Sequence, residues 1–103
     1  MFKAEDVVYI SGPMTGKKFW NYPRFHGVEM ALRHEFGCKV LNPAREEAGL
    51  TWEAYMEIDR AKVKVCTHVL MLSGWEKSKG ARLEKDWAEE WGKIVVFEYE
   101  LTV

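Results

Sequence analysis

No stretch of this 103-residue chain approaches the ~20 consecutive apolar residues that a membrane-spanning helix needs, and its N-terminus lacks the apolar core of a signal peptide. A cytoplasmic protein without a membrane partner is expected. Cysteine is scarce too. Cys38 and Cys66 stand at the edges of apolar segments with no CxxC spacing, so they read as buried free thiols and not as a disulfide. His26, His34 and His68 form no ligand-spaced cluster, and no metal is expected. Charge of one sign is also lacking: 15 Lys and Arg balance 16 Asp and Glu, for a net charge of −1. That balance argues against direct nucleic-acid binding through bulk electrostatics. Repeats, linkers and low-complexity tracts are absent, as are the G-x-x-x-x-G-K-[ST] and G-x-G-x-x-G spacings.

The length suits one domain, residues 1–103, with a single core and little room for a separate substrate domain. Strand and helix signals alternate along it. Val7-Val8-Tyr9-Ile10 is an apolar run closed by Ser11-Gly12-Pro13, a strand leading into a glycine-rich loop through Gly16. A helix is expected from about Tyr22 to Phe36, N-capped by Asn21, with an apolar stripe of Phe25, Val28, Leu32 and Phe36 and a terminator at Gly37. Lys39-Val40-Leu41 reads as a second strand stopped by Asn42-Pro43, and Ala44 to Leu50 as a loop at the same sheet edge. A Thr51-capped helix from Trp52 to about Val63, a strand over Thr67 to Leu72, a helix from Lys79 to Trp91 and a strand over Ile94 to Phe97 complete the pattern. This order predicts an α/β fold with right-handed crossovers and a mostly parallel sheet.

Two acids sit where ordinary surface acids do not. Glu84 is expected in the first turn of a helix just beyond a glycine turn after an apolar strand, and it shares a helix face with Ala88 and Trp91, next to the Leu83 and Trp87 line. Either it complements the helix dipole, or it is an ionised group aimed at a ligand on the carboxyl rim of the sheet. Asp59 falls four residues after Tyr55 and three after Met56, beside the face that should pack on the sheet, whereas Glu53 and Glu57 suit a solvated side. It belongs either to a surface network with Arg60 or Lys62, or to a desolvated site where its raised pKa suits general acid catalysis next to an ionised nucleophile.

The loop Ser11-Gly12-Pro13-Met14-Thr15-Gly16-Lys17-Lys18 combines close backbone approach, two hydroxyls and two lysines, which fits either an anion site or a tight turn with a solvated lysine pair. Most of the five tryptophans read as core. Trp20 and Trp75, in loops at the ligand edge, are available to stack on a base or to act as lids.

Together these residues carry a resemblance. Val8 to Gly16, Asn21-Tyr22-Pro23 with Phe25, Asn42-Pro43, Asp59, and Gly74-Trp75-Glu76 leading to Ser78-x-Gly80-Ala81-x-x-Glu84 resemble the small, often phage-encoded members of the nucleoside 2-deoxyribosyltransferase superfamily. The likeness spans nearly the whole chain and extends to the 2'-deoxynucleoside 5'-monophosphate N-glycosidases of that superfamily. It implies a three-layer flavodoxin-like or Rossmann-like sandwich that cleaves the N-glycosidic bond of a deoxynucleoside or its monophosphate. No cofactor is implied, the ligand is a small nucleoside or nucleotide, and a homodimer is expected.

By the same resemblance, Glu84 is the nucleophile at C1', Asp59 the acid that assists the departing base, and Tyr9 the phenol that orients the glutamate. Ser11, Gly12, Met14, Thr15, Gly16, Asn42, Trp75, Ser78 and Gly80 are the expected substrate contacts, with Ser78 and the Gly80 backbone on the 5'-phosphate. The related hydrolases carry an arginine where this chain has Thr15, so phosphate binding is expected to lean on Lys17 or Lys18. Relatives also take a polar residue beyond the last strand from a neighbouring subunit, and here only Glu98 to Val103 follow Phe97. The alternative function is a nucleotide-binding or partner-binding module that keeps the fold without turnover.

Overall fold

The computed structural model describes residues 1–101. Its sheet contains β1 (Val7–Ser11), β2 (Lys39–Leu41), β3 (His68–Met71) and β4 (Ile94–Phe97), in the order β2-β1-β3-β4 with every neighbouring pair parallel. Between them run α1 (Tyr22–Phe36), α2 (Trp52–Val65) and α3 (Lys79–Glu90). The α/β alternation expected from the sequence is the observed architecture.

Strand alternation divides the core in two. Val8, Ile10, Leu70 and Leu72 face Phe25 and Leu32 of α1, whereas Tyr9, Val69 and Met71 face Val63 of α2 and Ala81 and Ala88 of α3. The result is three layers, with α1 on one face and α2 and α3 on the other. β3 is buried on both faces along its length, which is why it reads as an unbroken apolar run. The chain leaves β1 towards β2 over one face and returns past β1 to β3 over the other. The order therefore reverses between β1 and β3, and the crevice at their carboxyl ends is the natural ligand position.

Local signals set most boundaries. The Thr51 hydroxyl accepts from the Ala54 N–H at 3.1 Å and the Ser78 hydroxyl from the Ala81 N–H at 3.2 Å, capping α2 and α3. Gly37 ends α1 in the left-handed region at φ +66°. Asn21 departs from expectation: it precedes α1, but its side chain makes no cap bond and donates instead to the Pro13 carbonyl at 2.9 Å. Phe19, Trp20 and Asn21 all have left-handed φ, at 52°, 54° and 62°. That run aims the Asn21 amide back at the first loop and away from the helix, at roughly 1–2 kcal/mol per non-glycine residue.

Candidate active site

β1 delivers two hydroxyls to one place. Tyr9 and Ser11, two residues apart on a strand, project from the same face, and both are fully buried. The Tyr9 hydroxyl donates to Glu84 Oε2 at 2.9 Å and the Ser11 hydroxyl to Glu84 Oε1 at 2.6 Å. Each carboxylate oxygen of Glu84 therefore has its own donor, although the side chain is only 5% exposed. Glu84 lies in the second turn of α3, one turn later than expected, and no acid occupies the first turn. Dipole stabilisation fades within the first turn, so the helix terminus does not explain it. Its partners are on the sheet.

Asp59 projects from α2 into the same space, and its Oδ1 is buried without a hydrogen-bond partner among the described residues. The surface network is not formed: Lys62 donates to Glu46 at 2.8 Å, and the Arg60 guanidinium lies over the Trp91 ring at 5.2 Å. Burial pushes the Asp59 carboxyl well up from its ordinary range, and the neighbouring Glu46 and Glu84 carboxyls push it further. Burial also raises Glu84, and the Ser11 and Tyr9 hydroxyls and the neighbouring Asp59 offset only part of that rise, leaving Glu84 at about 7, still well below Asp59 at about 10. The two acids are thus driven apart, with the proton resting on Asp59 and the negative charge on Glu84. Burial and the Glu84 charge raise Tyr9 well above the usual phenol range, so it remains a donor.

Asp59 and Glu84 stand in the wall of a cavity of about 670 Å³. That volume suits a small organic ligand of nucleotide size. Gly12, Met14 and Thr15 of the first loop form one side, and Ser78 and Gly80 at the start of α3 form another. Two glycines permit this shape. A Cβ on Gly12 would stand 2.8 Å from Leu72 Cβ, and one on Gly80 would stand 3.2 Å from Met56 Sδ. The first close approach seats the loop on the end of β3, and the second lets α2 and α3 close beneath the cavity.

A profile of the family described as Domain of unknown function (DUF4406) matches residues 6–97. The chain belongs to the DUF4406 family. No curated protein matches this DUF4406 chain in sequence. Among solved structures it is similar to the 2-desoxiribosyltransferase from Leishmania mexicana, with a TM-score of 0.72 and 17% identity over 89% of this chain and 63% of that one. The DUF4406 chain thus spans less than two thirds of that neighbour's length. At this identity the likeness shows a shared parallel α/β fold.

Three of the residues expected at the ligand lie elsewhere. Asn42 is buried towards α1, where its amide donates to Glu29 Oε1 at 2.9 Å and its oxygen accepts from the Ala44 N–H at 2.9 Å. Arg33 and Arg45 complete that cluster at 2.8 and 2.7 Å from Glu29. Trp75 packs on Phe97, with ring centroids 5.7 Å apart, and does not line the cavity. Gly16 makes the left-handed turn that closes the first loop at φ +80°, outside the cavity wall. Ser11 reaches the site only through Glu84.

The lysines also differ from expectation. Lys17 and Lys18 do not line the cavity, whereas Lys77 and Lys79 do, and Lys79 Nζ sits 4.5 Å from the centroid of the Trp52 ring. Glu46, Trp52 and Tyr55 are cavity residues that the sequence pattern did not single out. For Trp52 the amphipathic start of α2 was a usable signal. For Glu46, in an irregular loop, no periodic signal existed. Trp20 lines the mouth and remains 57% exposed, which leaves its ring open to a planar ligand.

Proposed function

We propose that the chain cleaves the N-glycosidic bond of a 2'-deoxynucleoside or its 5'-monophosphate, with Glu84 as nucleophile and Asp59 as acid. The observation that carries this reading is the unequal surroundings of two buried acids on one cavity: Glu84 receives a hydroxyl donor on each oxygen, whereas Asp59 keeps an oxygen unpartnered among the described residues. The fold likeness to the Leishmania mexicana desoxiribosyltransferase supports the same class of substrate.

The chemistry follows from those two states. A Glu84 oxygen forms a bond to C1' as the C1'–N bond breaks, the bonding pair leaves with the base, and the Asp59 proton neutralises the base nitrogen. Tyr9 and Ser11 hold the attacking carboxylate in place, and their donors partly release it as the ester forms. Water or a second base then displaces Glu84 from C1' and returns a proton to Asp59. Hydrolysis and base exchange share every step up to that choice.

The 5' end has a separate place. The free N–H groups at the start of α3, with Lys77 and Lys79 alongside, suit an anionic phosphate at the Ser78 end of the cavity. The base then lies towards Trp20. A homodimer is part of this proposal, supported by the exposure of Phe19 at 68% beside Trp20 at the cavity mouth.

The test is chromatographic detection of free base from a panel of deoxynucleosides and their 5'-monophosphates, with and without an acceptor base, for the wild type and Glu84→Ala. Release that depends on Glu84 is expected. No release from any substrate would favour a binding module on the same fold.

A further inference from the structure

A line of ionisable side chains runs from the flank of α2 into the cavity. Lys62 Nζ donates to Glu46 Oε2 at 2.8 Å, and the Glu46 side chain is only 6% exposed. Glu46 comes from the loop after β2 and lines the cavity with Asp59, and its partner Lys62 lies three residues after Asp59 on α2. Asp59 thus shares the cavity wall with two other carboxyls, Glu46 from the loop and Glu84 from α3. The Tyr9 phenol of β1 faces the same cluster, and Lys62 is its compensating cation.

This arrangement resolves a difficulty in the chemistry proposed above. If Glu84 were the sole acceptor for the Asp59 proton, its two oxygens would carry three donors, counting Tyr9 and Ser11, and its nucleophilicity would fall. A second carboxylate, anchored by a lysine, offers that proton another acceptor.

Resting on the glycosidic reading, we propose that Glu46 is a positioning residue: anchored by Lys62, its carboxylate accepts the Asp59 O–H and holds that proton ready for the departing base. When the C1'–N bond breaks, the bonding pair goes to the base nitrogen, which takes the proton from Asp59. Asp59 is left as an anion and Glu46 remains ionised. The water or incoming base that attacks C1' then gives its proton to Asp59, and the hydrogen bond to Glu46 re-forms.

The test uses Glu46→Gln and Lys62→Met in the full chain, with two readouts: the pH profile of base release and a carboxyl-carbon NMR titration of Asp59. Glu46→Gln removes the adjacent negative charge, so the alkaline limb and the Asp59 titration should both move down by about one pH unit or more. Lys62→Met leaves Glu46 uncompensated, so both should move up. A structural role alone would lower the rate in both variants without moving either value. Unmoved values in folded Glu46→Gln, or shifts in the same direction in the two variants, would overturn the proposal. The NMR titration needs no turnover, so a wild type that releases no base would count against the glycosidic reading while Glu46 is still decided by the titration.

Discussion

Asp59 and Glu84 face one cavity from neighbouring helices in opposite circumstances: Glu84 has a hydroxyl donor on each oxygen, while Asp59 keeps one buried oxygen with no partner among the described residues. Two carboxyls of similar intrinsic acidity are thereby set apart, with Glu84 the stronger acid and Asp59 the weaker. The consequences can be measured separately.

Asp59→Asn should abolish or severely reduce base release and yet stabilise the fold. The folded pKa of Asp59 lies above the unfolded value of about 3.9, so its stability contribution is full below that value and is lost as pH rises towards the folded pKa. Asparagine has no charge to bury. Thermal unfolding should show the variant matching the wild type near pH 4 and exceeding it by roughly 1–3 kcal/mol at neutral pH. A variant less stable than the wild type across that range would contradict the assigned protonation.

Tyr9→Phe and Ser11→Ala each remove one donor from Glu84. Without that donor the Glu84 pKa rises, so the acid limb of the rate profile should move to higher pH in both variants. The rate on the plateau should fall by about 10–100-fold, as the carboxylate loses its orientation. An unmoved acid limb in either variant would separate that hydroxyl from the Glu84 charge.

Lys79→Met should discriminate between substrates. Loss of a cation at the phosphate end should raise KM for a 5'-monophosphate by about tenfold and leave the matching nucleoside nearly unchanged. Equal effects on both would move the phosphate elsewhere. Lys17→Met, outside the cavity wall, serves as the comparison.

Glu29 should govern acid stability, away from the cavity. Burial alone would raise its pKa, but hydrogen bonds from Arg45, Asn42 and Arg33 outweigh it and hold the carboxyl at about 2. Its contribution is therefore present above the unfolded value of about 4.3 and is lost as pH falls towards 2. Both arginines are more than half exposed, so screening limits the gain, and Glu29→Gln should cost about 1–3 kcal/mol at neutral pH. Denaturant unfolding at pH 7 and pH 3 would show that gap closing as the pH falls.

What was legible in the sequence was local. The apolar run of β3, the Thr51 and Ser78 caps and the Gly37 terminator are each decided within a few residues, and they place nearly every element. Glu84 and Asp59 stood out for a related reason, since an acid on an apolar helix face breaks the period of its own helix. What escaped depends on side-chain direction and long-range pairing. Asn42 ends β2 pointing towards α1, where Glu29 waits 13 residues away in sequence. Gly74, at φ +92°, turns the following chain so that Trp75 meets Phe97 of β4 and not the ligand edge. Glu46 gains its place from Lys62, 16 residues later, and no repeating pattern links a loop acid to a helix lysine at that distance.

The most direct test of the central claim is to find the sugar on the enzyme. The wild type would be incubated with a 2'-fluoro-substituted nucleoside, whose electron-withdrawing substituent slows breakdown of the glycosyl ester, then denatured, digested and analysed by peptide mass spectrometry. The account predicts a sugar adduct on the peptide containing Glu84, localised to that residue and absent from Glu84→Gln. Base release from this analogue with an adduct on another residue, or with none trapped at any quench time, would contradict Glu84 as the nucleophile.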